Sequence, residues 1–279
     1  MWDFFVLQKM ILKKLQLSTH QVQIAYIESE KSNLTNRTDF QENTILLFLH
    51  EALGSIGQWR NFPKLLSDSM GMDGFILERR GHGGSDALFG ERNENYLHEY
   101  AYNELHEVIQ KILPGGKRVI LVGHSDGGTI ALLYAAKFPK FVSGIVTMAA
   151  HVLNESETRA GIQPAIDAFR AGKLEGLKKF HGEKTESLFF AWANTWLSDS
   201  FKDWNIINEI QGIRCPTLAI QGKEDQYGTK LQLDLILQAI PQAEIAFLDF
   251  VKHHPHLEKS AEILSRIEKW YQINFERFD

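Results

Sequence analysis

Val119-Ile120-Leu121-Val122-Gly123-His124-Ser125-Asp126-Gly127-Gly128 is the stretch on which the fold turns. Apolar, mostly β-branched residues run into Gly-x-Ser-x-Gly at Gly123, Ser125 and Gly127, and Thr129 to Phe138 continues at helical spacing. A strand that bends sharply into a helix is the setting of a nucleophile elbow, in which a strained turn lifts a serine hydroxyl clear of the sheet. Small residues are needed beside that serine because strand and helix backbones crowd there and a side chain would block the approach. The plain alternative is a serine that caps an ordinary helix. The surroundings decide between the two.

Working upstream, Val22 to Glu28 alternates as a strand, and Lys31 to Asn43 is a polar connection without periodicity. Thr44 to Leu49 is the first core strand, apolar enough to be buried on both faces. It ends in His50-Glu51-Ala52-Leu53-Gly54-Ser55-Ile56-Gly57, after which Trp59, Phe62, Leu65 and Leu66 mark a helix. Gly74 to Leu77 is another strand, running into the glycine-rich turn Glu78 to Ser85. Tyr96 to Leu113 has the pattern of a long amphipathic helix stopped by Pro114-Gly115-Gly116.

Downstream, Val142 to Ala149, Thr217 to Ile220 and Glu244 to Phe250 read as strands. A helix around Thr229 to Ile240 lies between the last two, and a closing helix spans roughly His256 to Tyr271. Strands alternating with helices imply an α/β fold with a doubly wound, mostly parallel sheet. The alternation breaks between His151 and Gln211, where helical segments follow one another and Phe180, Phe189, Phe190, Trp192, Trp196, Phe201 and Trp204 cluster. An inserted helical cap fits, dividing the chain into a core first part (1–150), a cap (151–211) and a core second part (212–279). Most of these aromatics are expected to glue cap to core, and a few to line an apolar pocket at the junction.

The chain has 279 residues, 44% hydrophobic and 23% charged, with a formal charge of −5. That size supports one large core. The acidic balance excludes the basic stripe of a nucleic-acid binder and leaves a small molecule as the expected partner. One cysteine, Cys215, rules out an intrachain disulfide framework and a cysteine-based metal cluster; it reads as buried bulk and permits a reducing compartment. Met1 to Leu17 mixes Phe4, Phe5, Val6 and Leu7 with Asp3, Lys9, Lys13 and Lys14, a poor signal peptide, and Met10 is an alternative start. No stretch has the apolar length of a membrane span, so a cytoplasmic protein is expected.

A serine hydroxyl is a weak nucleophile at neutral pH and needs a base within reach and a third group to orient that base. Ile220-Gln221-Gly222-Lys223-Glu224-Asp225 places a carboxylate just past a strand end, where such sheets gather their sites. Asp225 is the candidate acid, with Glu224 as nearest substitute and Asp249 as a weaker one; the plain alternative is a turn or helix-cap aspartate. Val251-Lys252-His253-His254-Pro255-His256-Leu257-Glu258 offers three histidines after the last strand, and spacing does not choose among them. None of their spacings is the helical i, i+4 of common zinc pairs, so no metal is expected.

On these residues the chain resembles the cap-bearing α/β-hydrolases of the esterase and lactonase branch over nearly its whole length. His50-Glu51-Ala52-Leu53-Gly54-Ser55 resembles the family's His-Gly-x-Gly oxyanion loop, and Glu78 to Ser85 its Asp-x-Arg-Gly-x-Gly-x-Ser turn. Asp225 matches the acid placed three residues after a strand-end glycine, here Gly222. His253 to Glu258 is similar to Gly-His-x-Pro-x-x-Glu with Lys252 in place of the glycine, which selects His253 as the base. The resemblance implies a serine hydrolase without cofactor that cleaves a small carboxylic ester or lactone. Ser125 would attack, His253 take its proton and Asp225 hold the imidazole. Backbone N–H groups of Asp126 and Ala52, or Leu53 in place of Ala52, would bind the oxyanion.

The departures are Glu51 and Lys252 at positions usually glycine, and Glu78 for Asp. Glu51 brings a carboxylate to the oxyanion loop that could reshape its backbone or set a substrate charge preference. Arg80 is expected to tie these loops together. Two other readings compete. A carbon–carbon hydrolase of ring-cleavage products commonly carries a tryptophan after the catalytic histidine, where this chain has His254, and a non-catalytic receptor can share the fold.

Overall fold

The computed structural model describes residues 10–31 and 37–276. Its strands are β1 (Met10–Gln16), β2 (Gln21–Ile27), β3 (Thr44–Leu49), β4 (Gly74–Glu78), β5 (Arg118–His124), β6 (Val142–Met148), β7 (Thr217–Gly222) and β8 (Glu244–Leu248). They form one sheet in the order β1-β2-β4-β3-β5-β6-β7-β8. From β4 across to β8 every pairing is parallel, whereas β2 runs antiparallel to β4 and β1 antiparallel to β2. Both faces are covered, which is why β3, β6 and β7 are buried at every residue and read as continuous apolar runs.

Side chains alternate across the sheet and feed two cores. Leu47, Leu49 and Leu121 pack with α2 (Leu105–Ile112), α3 (Asp126–Lys137) and α6 (Lys230–Ala239). Leu46, Phe48, Ile120 and Val122 pack on the other face with α1 (Phe62–Met70) and α7 (Ser260–Phe275). Each fully buried Leu, Ile or Phe contributes about 1.5–3 kcal/mol of transfer free energy. Between β6 and β7 lie α4 (Ser156–Arg170) and α5 (Thr185–Leu197) with short helical turns between and after them. This segment is tied at its base by an isolated antiparallel bridge between Leu153 and Asn205. No helix among the described residues is long and apolar enough to cross a membrane.

Several expectations need correction. Part of Met1 to Leu17 is strand β1, which periodicity missed because it is an edge: its two faces are largely exposed and it carries Lys13 and Lys14, the charges that protect an open edge. The stretch Met1 to Lys9 lies outside the described residues. Within Lys31 to Asn43, Asp39–Asn43 is a helical turn held by a capping box between Thr38 and Gln41, and 32–36 lies outside the description. The helix from Tyr96 is interrupted by a π turn at Tyr100–Glu104. Tyr100 and Glu104 both grip the backbone of Arg80: the Tyr100 hydroxyl donates to its carbonyl at 2.7 Å, and Glu104 accepts from its N–H at 3.1 Å. Cys215 is only half-buried.

Candidate active site

Ser125 sits between β5 and α3 with φ 52° and ψ −119°, a left-handed conformation that L-residues rarely adopt. The flanking glycines explain how the turn closes. A Cβ at Gly123 would lie 2.3 Å from the carbonyl oxygen of Gly127, and one at Gly127 would lie 2.0 Å from that of Leu49. Backbone atoms cannot give way, so the elbow admits nothing larger. The Ser125 N–H donates to Met148 O at 2.8 Å, tying the turn to the end of β6, and the Ser125 side chain makes no capping bond. The helix-cap alternative therefore falls.

The ends of β7 and β8 bring the other two candidates to the same edge. Asp225 Oδ2 lies 2.8 Å from His253 Nδ1, and His253 Nε2 lies 3.0 Å from Ser125 Oγ. A carboxylate can only accept, so Nδ1 carries the proton and Nε2 is left to accept from the serine hydroxyl. Asp225 is fixed in turn by the Tyr227 N–H at 2.8 Å and by Gln221 Nε2 at 2.6 Å. Burial works to raise its carboxyl pKa, but the adjacent His253 imidazole and the Tyr227 N–H outweigh it, and the group is held below the ordinary range. A Cβ at Gly222 would meet Val251 O at 2.1 Å, so the close approach of the two loops needs that glycine.

The substitutes lie elsewhere. Glu224 is exposed, and Asp249 is exposed and pairs with Lys223 at 2.6 Å. His254 faces Glu51 at 3.6 Å, and His256 is buried against Trp59 with ring centroids 4.7 Å apart. Lys252 is exposed; its N–H and that of His254 are both held by the Glu258 carboxylate, at 2.7 and 2.9 Å. His124, inside the elbow, donates from Nε2 to His253 O at 2.7 Å. Burial pushes its pKa well down, so it serves as a neutral donor that fixes the histidine loop against the elbow.

The loop bearing Ala52 is held through its carbonyls. Arg79 donates to His50 O and, at 2.9 Å, to Glu51 O; His82 Nε2 donates to Ala52 O at 3.0 Å; His181 Nε2 donates to Leu53 O at 2.9 Å. Four successive carbonyls are thus engaged by side chains, and Ala52, Leu53 and Asp126 all line the cavity that contains Ser125. Burial depresses the pKa of His82 and His181, keeping both as neutral donors. The tie is Arg79 and not Arg80. The register Leu49 to Leu77 between β3 and β4 sets Arg79 beside His50, whereas the Arg80 guanidinium stacks over Phe89 at 4.8 Å. Glu78 accepts from Ile56 N at 2.9 Å and Gly84 N at 2.7 Å, linking both glycine loops.

The cavity at Ser125 measures about 270 Å³, with Leu174, Leu177, Phe189 and Trp192 of the helical segment facing the loop residues. Of the seven aromatics between His151 and Gln211, Phe189, Trp192 and Trp196 line it. Trp196 also anchors the segment: its Nε1 donates to Tyr96 Oη at 2.7 Å, and that hydroxyl donates to Asp126 Oδ2 at 2.9 Å. A roomier cavity of about 540 Å³, beside Arg80, Phe89 and Arg92, contains none of Ser125, Asp225 or His253.

A family model described as the alpha/beta hydrolase fold matches residues 44–180, the stretch from β3 through the elbow into the helical segment. The chain belongs to the α/β-hydrolase superfamily. This α/β-hydrolase is 25% identical over 170 residues to the serine hydrolase BPHL of Mus musculus, covering 56% of this chain and 55% of that protein, so it spans about half of that relative's length. A proline iminopeptidase of Saccharolobus solfataricus is 21% identical over 277 residues, covering 83% of this chain and 87% of the other. Among solved structures, a membrane phospholipase A superposes with TM-score 0.72 at 17% identity, over 96% of this chain and 88% of that one. At that identity the likeness speaks to the fold.

Sequence reading left four residues of this α/β-hydrolase's site unassigned. Arg79 and His82 lie inside the glycine-rich turn Glu78 to Ser85, where their neighbours in space were the missing signal. Gln221 precedes Gly222 in the strand-end motif. His181 lies in the helical segment and carries no signal of its own in the sequence.

Proposed function

We propose that this α/β-hydrolase is a serine hydrolase that cleaves a small carboxylic ester or lactone through an acyl-enzyme, with Ser125, His253 and Asp225 as its triad. The observation that carries the reading is the line from Asp225 through His253 to Ser125, at 2.8 and 3.0 Å, ending on a serine in a strained turn. His253 takes the Ser125 proton as Oγ attacks the carbonyl carbon and returns it to the leaving alcohol; water then repeats the sequence to release the acid. The Asp126 and Ala52 N–H groups hold the oxyanion, each worth about two to three orders of magnitude in rate.

Residues 151–211 act as the cap that closes over the substrate, and the apolar side chains of Leu174, Leu177 and Phe189 suit an acyl chain. The carbon–carbon hydrolase alternative gains no support at His254, which is engaged with Glu51. The lone unpaired Cys215 accords with a reducing cytoplasm. The test is turnover of a chain-length series of activated esters by wild type and Ser125→Ala. The variant is expected to lose at least about 10³-fold in kcat, and equal turnover by the two would remove the triad reading. His253→Ala should be as inactive, while His254→Ala and His256→Ala keep most activity; the reverse order would show that another histidine is the base.

A further inference from the structure

Glu51, a departure from the family pattern, carries a carboxylate that a ligand can reach. The residue lines the Ser125 cavity and a neighbouring one of about 220 Å³. Its side chain is 19% exposed, and neither carboxylate oxygen is sealed from solvent. Among the described residues no N–H or O–H donates to either oxygen within hydrogen-bond length. His254 Nε2, at 3.6 Å, is an ion-pair partner and too far to bond. A carboxylate offers about four acceptor positions, so Glu51 has capacity to spare on a wall it shares with the nucleophile.

The charges around it select the ligand. No lysine or arginine is among the described residues that line the Ser125 cavity. Its other carboxylate, on Asp126, is 2% exposed and already takes the Tyr96 hydroxyl at 2.9 Å. Burial depresses the pKa of His151, His124, His181 and His256, and raises that of the Tyr227 phenol, so all five are neutral. His253 and Asp225 hold each other, and Glu258 is engaged by the N–H groups of Lys252 and His254. Arg60 lines only the neighbouring cavity, is exposed and has an interaction of its own. Glu51 and His254 are left, and they do not yield alike. Burial opposes the charge of Glu51, but His254 brings its pKa to about 2, so an incoming anion would meet a carboxylate that stays ionised. Burial likewise opposes the charge of His254, and Glu51 is what raises its pKa above 6.5. A cation that takes over the carboxylate therefore lets the imidazole release its proton.

We propose that Glu51 is the subsite for a positively charged group, of the ammonium kind, on the molecule that occupies the Ser125 cavity. This inference deepens the serine-hydrolase reading by naming a substrate class, esters that carry a cation on the acyl or the alcohol part. Its catalytic part rests on that reading; its binding part does not. Because the guest cation and the His254 proton compete for one carboxylate, each weakens the other by the same factor.

Butyrylcholine and 3,3-dimethylbutyl butyrate have the same shape and differ in charge, a quaternary nitrogen against a quaternary carbon on the alcohol side. Ethyl 4-(trimethylammonio)butyrate and ethyl 5,5-dimethylhexanoate make the same exchange on the acyl side. For at least one pair kcat/KM is expected to favour the cation by about tenfold, and the pair that responds gives the side. Glu51→Gln, which keeps the shape and removes the charge, should cut that preference about tenfold. Ratios near one for both pairs, or a preference that Glu51→Gln leaves intact, overturn the proposal. NMR titration of the Ser125→Ala protein separates the two readings, because it needs no turnover. The cationic ester should bind saturably, lower the pKa of the His254 imidazole, and lose about tenfold in affinity when Glu51→Gln is added. That result supports the subsite even if wild type cleaves no ester. Absence of binding, an unmoved His254 pKa, or binding indifferent to Glu51→Gln overturns it.

Discussion

The two loops that meet at Ser125 differ in how far distant side chains hold them. The elbow is fixed by backbone crowding: Gly123 against Gly127, and Gly127 against Leu49, at distances no side chain could enter. The His50 to Leu53 loop has a local turn, with Glu51 O accepting from Gly54 N–H at 3.1 Å and from His50 Nδ1 at 2.7 Å, and its carbonyls are also gripped from outside by Arg79, His82 and His181 from two distant parts of the chain. Steric necessity leaves a mark in the local sequence, as glycines at set spacing. Capture by distant side chains leaves none, because the partners become neighbours only once β3 and β4 have paired and the helical segment has folded over them.

The contrast is open to test, and the largest effect belongs to the elbow. Gly127→Ala would put a Cβ 2.0 Å from Leu49 O. Thermal or chaotrope unfolding should show a loss of several kcal/mol, on the order of 4–5, with ester turnover abolished; a folded, active variant would mean that the elbow is not sterically locked. Arg79→Met comes next. It removes the grip on His50 O and one of three donors to Glu51 O, which keeps Gly54 N–H and His50 Nδ1, so kcat is expected to fall about 10²–10³-fold with KM little changed, the signature of a lost oxyanion site. An unchanged kcat would show that the loop holds itself. His181→Ala releases only the Leu53 carbonyl and should cost about tenfold in kcat, within the range of a lost supporting contact.

The smallest effect concerns Glu51, the departure that joins the loop to the histidine segment. Burial opposes its charge, but the His254 partner more than compensates and brings its pKa from 4.5 to about 2. The same pairing raises the His254 pKa above 6.5 against the opposing effect of burial. A lowered acid stabilises the fold above its unfolded pKa, and a raised base stabilises it below its own, so the pair contributes fully only between about pH 4.5 and 6.5. Its stabilisation fades as pH falls toward 2 or rises through the elevated His254 pKa. Both side chains are partly exposed, so solvent screening keeps the contribution within about 1 kcal/mol. Glu51→Gln should lower Tm by about 2–4 °C at pH 5.5 and by less at pH 9; a deficit that grew with pH would contradict the pairing.

The same division governs what could be read in advance. The parallel strands were legible because burial on both faces forces continuous apolar runs, and β3 falls on Thr44–Leu49 as its residues imply. Asp225 was reachable because Gly222 and a strand end mark its loop, whereas the last loop offered three histidines and only the family resemblance singled out His253; the structure brings both side chains into line with Ser125. Strand β1 was hidden because an exposed edge has no apolar face to announce it. The choice of Arg80 over Arg79 turned on a single position. Only the register of β4 on β3 distinguishes which guanidinium meets His50 and which meets Phe89. The aromatics between His151 and Gln211 stayed unsorted for a similar reason, since lining the cavity, as Trp192 does, or packing away from it, as Phe201 does, depends on how the segment folds over the sheet.

The central claim is that Ser125 is a nucleophile activated by His253 and Asp225, and covalent labelling reaches it directly. Treat the intact protein with a fluorophosphonate and map the adduct by mass spectrometry, following its rate in wild type and in His253→Ala. The account predicts one adduct per chain, on the peptide carrying Ser125, formed at least about 10³-fold more slowly without the histidine. An adduct on another residue, none at all, or an undiminished rate in His253→Ala would contradict it.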